Sequence, residues 1–168
     1  MTDEIPHGTS EPRDSGAVLR FTLDLPQPAH RVWPAVATPE GLREWLAAVE
    51  RLEPRLGGAV TLRWLNPGDD GDDAVEHGTV TAWDPEHVAE YTVAVHGRVR
   101  FHLEPAWAGA IGTVLRFTDE VAAAGDADRL SRLAGWHQHF AYLLAALDGR
   151  PRDWSQWDPD RYRELYAG

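Results

Sequence analysis

The chain has 168 residues, no cysteine and a formal net charge of -11, with 27 acidic residues against 16 basic ones. This length fits about one domain, and the negative charge disfavours nucleic acid and anionic membranes as partners because their phosphates are repelled at long range. The absence of cysteine and lysine excludes disulfides, thiolate chemistry, zinc-thiolate sites, Schiff bases and a P-loop lysine.

The N-terminal part of the chain predicts a leader followed by a strand. Residues 1–16 mix charged residues with Pro, Gly and Ser around one isolated Ile, which is typical of a disordered acidic leader. Residues 18–25 alternate apolar and polar side chains, as expected for a strand with one buried face. We therefore expect the folded domain to begin at about residue 17.

Two short helices are predicted after this first strand. Residues 29–37 and 39–46 carry apolar side chains at helical spacing. Thr38 can cap the second helix, and Pro39 suits its first position. Because Pro34 lies inside the first helix, we expect that helix to be short or kinked.

Five further strands are predicted, since apolar residues again alternate with polar ones. Each would have one dry and one wet face, the pattern of an antiparallel sheet that is covered on a single side. Their ranges are about 60–64, 79–82, 91–95, 98–104 and 114–118.

A long C-terminal helix is predicted from Asp126 to about Gly149, and one apolar stripe runs along it. Gly135 costs about 1 kcal/mol inside a helix, so we expect a reason such as a close approach to the sheet. Residues 151–168 form an appended amphipathic segment that must dock on the domain or on a second copy of the chain.

Several short motifs lie in a fixed order along the chain: P-A-H-R-V-W-P-A-V-A-T-P at 28–39, G-T-V-T-A-W-D-P at 78–85, G-T-V-L-R-F-T-D at 112–119 and G-W-H at 135–137. Together with the order of elements, they resemble the START-like helix-grip superfamily (SRPBCC). More narrowly, they resemble its branch related to the C-terminal domain of the activator of Hsp90 ATPase. Asp119 departs from this branch, which often carries a histidine there.

The resemblance implies an α+β helix-grip fold over residues 17–150. A curved six-stranded antiparallel sheet would wrap around the long C-terminal helix, with the two short helices after the first strand. In such folds a cavity, often apolar, lies between sheet and helix. Members include lipid and hormone carriers, polyketide cyclases and aromatases, and the Hsp90 activator itself, so the fold does not settle the function.

A ligand in this cavity would contact the inward-facing side chains of the strands and of the long helix. The same side chains could instead fill a solid core, because apolar side chains of strands and helices are most often buried in this way. The predicted ligand-binding residues are Trp64, Tyr91, Val93, Phe101, Leu103, Leu115, Phe117, Trp136, His137 and Phe140.

Asp119 and His137 are the candidate catalytic residues. Asp119 continues the inward-facing series of its strand, so burial could raise its pKa for acid or base work, or it could hold His137 in one tautomer. The alternatives are a solvated strand end and a structural, hydrogen-bonded histidine. His137 and His139 point in different directions on a helix, and the acidic run 69–73 lacks the spacing of a calcium loop, so no metal site is predicted.

Three functions therefore stay open. The first is binding of a small hydrophobic or aromatic ligand between the sheet and the C-terminal helix. The second is a polyketide cyclase or aromatase activity that uses Asp119 and His137 without metal or organic cofactor. The third is a protein-interaction or chaperone-associated module, with a homodimer formed through residues 151–168. We expect a cytoplasmic protein with no cofactor, no membrane insertion and no nucleic-acid partner.

Overall fold

The computed structural model describes residues 5–65, 75–107, 111–122 and 125–167. Within these ranges an antiparallel sheet is covered on one face by a long helix. The strands are β1 Thr9–Arg13, β2 Gly16–Leu25, β3 Ala47–Leu52, β4 Ala59–Trp64, β5 Val75–Asp84, β6 Val88–Val93, β7 Gly97–Pro105 and β8 Thr113–Ala122. The helices are α1 Ala29–Ala37, α2 Pro39–Arg43, α3 Asp126–Leu147 and α4 Pro159–Ala167, with a single 3-10 turn at Trp154–Gln156.

The sheet has eight strands in the described part of the chain, in the order β1-β2-β8-β7-β6-β5-β4-β3, and every neighbouring pair is antiparallel. The prediction of six strands was wrong, because β1 and β3 were missed. The two short helices consequently follow the second strand. Register shifts in β3 and β5 bend the sheet, as bulges do.

A disordered leader was expected over residues 1–16; within the described part, the chain from Ile5 onward packs on the domain, and residues 1–4 lie outside the described residues. Thr9–Arg13 pairs with β2 along its whole length. Ile5 is buried, and Gly8 lies so close to the ring of Phe21 that a Cβ at Gly8 would overlap it. Packing against the domain therefore orders a segment whose composition is that of a disordered one.

The two short helices meet at Thr38 as predicted. The Thr38 hydroxyl accepts a hydrogen bond from the Gly41 backbone N–H at 3.1 Å, and Pro39 occupies the first position of α2. Helix α1 contains Pro34 and runs for nine residues. Helix α2 ends at Arg43, earlier than expected, because the chain turns there into β3.

Helix α3 crosses the sheet and has the predicted bounds. It ends at Leu147, and Gly149 follows with a positive φ of 79°, a left-handed conformation that glycine adopts readily. Trp136, Phe140 and Leu143 are buried between the helix and the sheet. No helix in the described ranges is both long and apolar enough to cross a membrane.

The C-terminal segment covers the face of α3 that points away from the sheet. The rings of Trp154 and Trp157 lie 4.9 and 5.5 Å from that of Tyr142. The Tyr142 hydroxyl donates to the Asp153 carbonyl at 3.0 Å. The aromatic side chains of residues 151–168 are thus largely accounted for by their own domain, and a homodimer through this segment stays a prediction that light scattering can check.

Tyr166 ties this segment to both α3 and the N-terminus. Its hydroxyl oxygen accepts from the Gly8 N–H at 2.8 Å and lies 2.8 Å from Nδ1 of His137. We expect Tyr166→Phe to lower the free energy of unfolding by about 1–2 kcal/mol, because it strips both partly buried groups of a partner. Urea unfolding measures this loss.

The matched control for that prediction is Tyr162→Phe. The Tyr162 ring also contacts His137, at 5.5 Å between ring centroids, so both variants keep a ring against His137 and lose only a hydroxyl. Equal stability of Tyr166→Phe and Tyr162→Phe would contradict the bridging role of the Tyr166 hydroxyl.

Candidate functional site

A pocket of about 260 Å³ lies between the first half of α3 and the turn that joins β6 to β7. We call it the Trp136 pocket. It is lined by Val95, His96, Ser131, Arg132, Gly135, Trp136 and His139.

Gly135 is the unusual residue in this lining. It lies in the middle of α3, and its φ is not positive, so the backbone does not require glycine. A Cβ placed on Gly135 would meet no atom within 4 Å. The expected close approach of Gly135 to the sheet is therefore absent in the described structure. The missing side chain leaves open space at the wall of the pocket.

Glu76 holds the opposite wall. One oxygen of its buried carboxylate accepts from the Val95 and His96 backbone N–H groups at 2.6 and 2.9 Å. The other accepts from Nε1 of Trp64 at 2.5 Å and bonds Nδ1 of His96. Burial alone would raise the pKa of Glu76, but the hydrogen bonds and charge of His96 outweigh it and lower the pKa to about 2. Glu76 is therefore ionised at neutral pH.

His96 and Trp64 form a stacked pair above this carboxylate. Their ring centroids are 4.0 Å apart with an interplanar angle of 26°. The His96 side chain stays 28% exposed, so its ring forms part of the pocket surface. Trp64 lies beneath His96 and reaches the indole of Trp136 edge-on at 6.0 Å.

Asp119 lies behind Trp136. Its side chain is fully buried, and Oδ2 accepts from Nε1 of Trp136 at 3.0 Å, while Oδ1 has no hydrogen-bond partner among the described residues. Burial raises the pKa of Asp119 to about 8, partly offset by the Trp136 hydrogen bond and the positive charge of Arg132. Asp119 is therefore mostly protonated at neutral pH and fixes the orientation of the Trp136 indole.

His139 contributes a neutral imidazole to the pocket. Its Nδ1 lies 3.0 Å from the Trp45 carbonyl, so Nδ1 carries the proton and Nε2 is an acceptor. Burial lowers the pKa of His139 to about 3. The ring also contacts Trp136 and Trp157, at centroid distances of 5.6 and 4.6 Å.

His137 belongs to a different face of α3. Its Nδ1 bonds the Tyr166 hydroxyl, and burial and the charge of His7 lower its pKa to about 4. Asp119, in contrast, bonds Trp136 on the sheet side. The structure therefore does not bring the two candidate catalytic residues together, and His137 has the environment of a hydrogen-bonded structural histidine.

The ten predicted ligand-binding residues divide into three groups. Trp136 lines the pocket and Trp64 lies directly beneath it, whereas His137 faces the C-terminal segment. The other seven form the buried core between sheet and helix: Tyr91, Val93, Phe101, Leu103, Leu115, Phe117 and Phe140. Of these, all but Val93 expose 1% or less of their surface, so they border no void large enough for water.

This core is filled by aromatic rings. Phe117 lies 4.5 Å from Trp136, 5.0 Å from Phe140 and 5.4 Å from Phe101, measured between ring centroids. Tyr91 donates its hydroxyl to the Val36 carbonyl at 2.7 Å. The predicted cavity beneath the helix is therefore occupied by side chains at these positions, and the open space lies at its edge, beside Trp136.

Comparison with known protein families matches residues 26–148 to the family described as "Activator of Hsp90 ATPase homolog 1-like protein". The chain belongs to this family. The resemblance that the motifs indicated is thus confirmed, and with it the START-like helix-grip fold. Members of the Hsp90-activator-like family commonly bind hydrophobic ligands. No curated protein matches the chain.

Solved structures of similar fold cover nearly the whole of this family member. A conserved protein of unknown function from Enterococcus faecalis, EF2215, is 15% identical with a TM-score of 0.70 over 95% of this chain and 88% of its own. CalU16 from Micromonospora echinospora is 16% identical, with a TM-score of 0.68 over 95% and 92%. A Bordetella parapertussis protein, encoded by BPP1335, is 25% identical, with a TM-score of 0.66 over 99% and 94%.

Several residues of the pocket were missed by the sequence analysis. His96 lies between the predicted strands 91–95 and 98–104, and Arg132 lies outside the apolar stripe of the predicted helix, so neither position indicates a site. Glu76 precedes the predicted strand at 79–82. The Glu76 carboxylate accepts hydrogen bonds from a turn about twenty residues further along the chain, so no local sequence pattern predicts this contact. Only the pairing of the strands brings the two segments together.

Proposed function

We propose that this Hsp90-activator-like protein binds a small hydrophobic or aromatic ligand in the Trp136 pocket. The observation that carries the proposal is Gly135, which interrupts the side-chain surface of α3 where neither the backbone nor packing requires glycine. Since glycine costs about 1 kcal/mol in a helix interior, the open space beside Trp136 is maintained at the expense of stability. Ligand binding explains why it is kept.

The chemistry of the lining supports an aromatic ligand. The indole of Trp136 and the imidazoles of His96 and His139 offer ring surfaces, and ring pairs contribute about 0.5–1.5 kcal/mol each beyond simple burial. A volume of about 260 Å³ lies just below the range of roughly 300–1,000 Å³ that ligand pockets commonly have, which suits a small ligand of one or two fused rings. A few polar groups on a largely preformed wall are what ligand pockets use for orientation.

Gly135 provides the test. We expect Gly135→Ala to raise the free energy of unfolding by about 1 kcal/mol, because a methyl group meets no neighbour and glycine is a poor helix former. Gly135→Leu should place a larger side chain in the pocket and weaken binding of naphthalene-type probes by about tenfold or more, a loss of about 1.4 kcal/mol. Isothermal titration calorimetry measures the affinity, and chemical unfolding measures the stability.

The control is Ala127→Leu, at an exposed position about one helical turn before Ser131, the first residue of α3 in the pocket lining. It adds the same side chain to α3 outside the lining. Undiminished binding in Gly135→Leu would place the ligand elsewhere. If no ring compound binds the parent chain, the proposed function is wrong.

A further inference from the structure

We infer that the ligand of the Trp136 pocket is an aromatic acid whose carboxylate pairs with Arg132. This inference rests on the proposed function, because it names the class of molecule that the same pocket takes. It uses three observations. Arg132 is fixed by one hydrogen bond from Nε, the Asp119 side chain behind Trp136 is protonated, and the Glu76 carboxylate accepts hydrogen bonds from groups of the protein itself.

Arg132 lines the pocket with a guanidinium that is fixed in place. Its Nε donates to Asp128, one turn earlier on α3, at 2.7 Å, and its side chain is only 19% exposed. Among the described residues no other acceptor bonds this guanidinium. Asp128 is half exposed, so solvent screens this i,i+4 ion pair. Because the pair uses only Nε, the N–H groups of the two terminal nitrogens of Arg132 can donate to a ligand. A carboxylate is the group whose two oxygens match such paired donors.

The inner wall of the pocket does not repel an anion at neutral pH. Asp119, the acidic residue behind Trp136, is held protonated by burial, and the charge of Arg132 acts on it. Arg132 therefore faces a neutral carboxylic acid and keeps its own charge available.

Glu76 is the remaining acidic group near the pocket. Its carboxylate accepts hydrogen bonds from Trp64, from the Val95 backbone and from both the backbone and the ring of His96. It is 3% exposed and lies behind the His96 ring. Its charge is thus directed at donors of the protein itself, and a bound carboxylate meets the His96 ring first.

The geometry then assigns one end of the ligand to each wall. The ring system lies against Trp136 and His96 in the space left by Gly135, and the acid group lies at Arg132, four residues before Trp136 on α3. An amine in place of the acid would be repelled by Arg132, and a neutral amide would lose the charge-assisted pair.

Three probes of matched shape test the inference: 2-naphthoate, 2-naphthamide and 2-naphthylmethylamine. Calorimetry at low salt should show about tenfold tighter binding of the naphthoate than of the amide, and 0.5 M NaCl should reduce that difference. Arg132→Gln should remove the preference, because it should weaken binding of the naphthoate more than binding of the amide. Arg132→Lys, which keeps the charge and loses the paired donors, should retain part of it.

Arg129→Gln is the matched control, since it removes the same charge from the same helix outside the pocket lining and should leave the preference intact. Equal binding of naphthoate and amide, or tighter binding of the amine, would contradict the inference that the ligand is an acid. It would not contradict the proposal that the Trp136 pocket binds a ring compound. Failure of all three probes to bind would contradict the pocket itself. Circular dichroism confirms that each variant is folded.

Discussion

Asp119→Asn should remove the pH dependence of stability that this one buried carboxyl contributes between about pH 4 and pH 8. Asp119 is fully buried with Oδ1 unpartnered, and burial raises its pKa from 3.8 to about 8. Between those two pH values the folded chain holds a proton on Asp119 that the unfolded chain has released. Unfolding then releases that proton, so the contribution of Asp119 to the free energy of unfolding falls as the pH rises.

The size of this effect follows from the linkage. The contribution of Asp119 is fully present below about pH 4 and lost once the pH passes about 8, with a slope of up to about 1.4 kcal/mol per pH unit in between. Asparagine has the shape of the protonated acid, and its oxygen can still accept from Nε1 of Trp136. The variant should therefore match the parent near pH 4.5 and exceed it in stability by several kcal/mol at pH 8.

Urea unfolding at pH 4.5, 6, 7.5 and 9 gives the two slopes directly. The control is Glu120→Gln, which removes an exposed carboxylate from the next residue of β8 that pairs with Arg98. That change should leave the slope nearly unaltered, because exposed ion pairs contribute little. If Asp119→Asn shows the same pH dependence as the parent chain, Asp119 is ionised in the folded protein and the account is wrong.

The strands that the sequence predicted are those whose apolar residues alternate. Most buried residues of β7 and β8 lie on the face that α3 covers, so the alternation of apolar and polar residues indicates which face is buried. Examples are Phe101, Leu103, Leu115 and Phe117. The edge strand β1 has the sequence T-S-E-P-R and buries almost none of its side chains, so no alternation marks it. It forms because the backbone of β2 offers it a pairing edge, a partner that a local window of sequence cannot contain.

The candidate site was predicted only in part, for a related reason. Trp136 and Asp119 lie on apolar faces and were found. Gln138 and Arg132 lie outside the apolar stripe of α3, a pattern that is typical of exposed positions, yet Gln138 is 3% exposed. The C-terminal segment covers Gln138, and a second layer over a helix cannot be deduced from that helix's own periodicity. His96 and Glu76 come together through strand pairing alone.

Glu76→Leu should lower the free energy of unfolding by about 3–5 kcal/mol, since the variant keeps the side chain's bulk but removes its acceptors. The Trp64 indole N–H and the backbone N–H groups of Val95 and His96 would then be left without their partner. Each buried donor that loses its acceptor costs about 1–3 kcal/mol. Glu104→Leu on β7, which breaks the surface pair with Arg116 on β8, is the control and should change stability by less than about 1 kcal/mol.

The pH dependence separates this carboxylate from Asp119. The pKa of Glu76 is lowered from 4.5 to about 2, so its contribution to stability is present above about pH 4.5 and lost as the pH falls through about 2. The part of the acid transition that Glu76 contributes should therefore begin below pH 4.5, and Glu76→Leu should lose that part. An unchanged acid transition would show that Glu76 is not ionised in the folded chain.

Glu76 also connects stability to the proposed site. It fixes the Val95–His96 turn and the stacked His96 and Trp64 rings, which together form one wall of the Trp136 pocket. Glu76→Gln keeps one acceptor oxygen but turns an amide N–H₂ toward groups that donate, so the wall should loosen while the core beneath α3 stays packed. In the folded variant we expect weaker binding of naphthoate and amide by similar factors, whereas Arg132→Gln should weaken the acid more than the amide. Comparing the two variants thus separates the shape of the pocket from its charge.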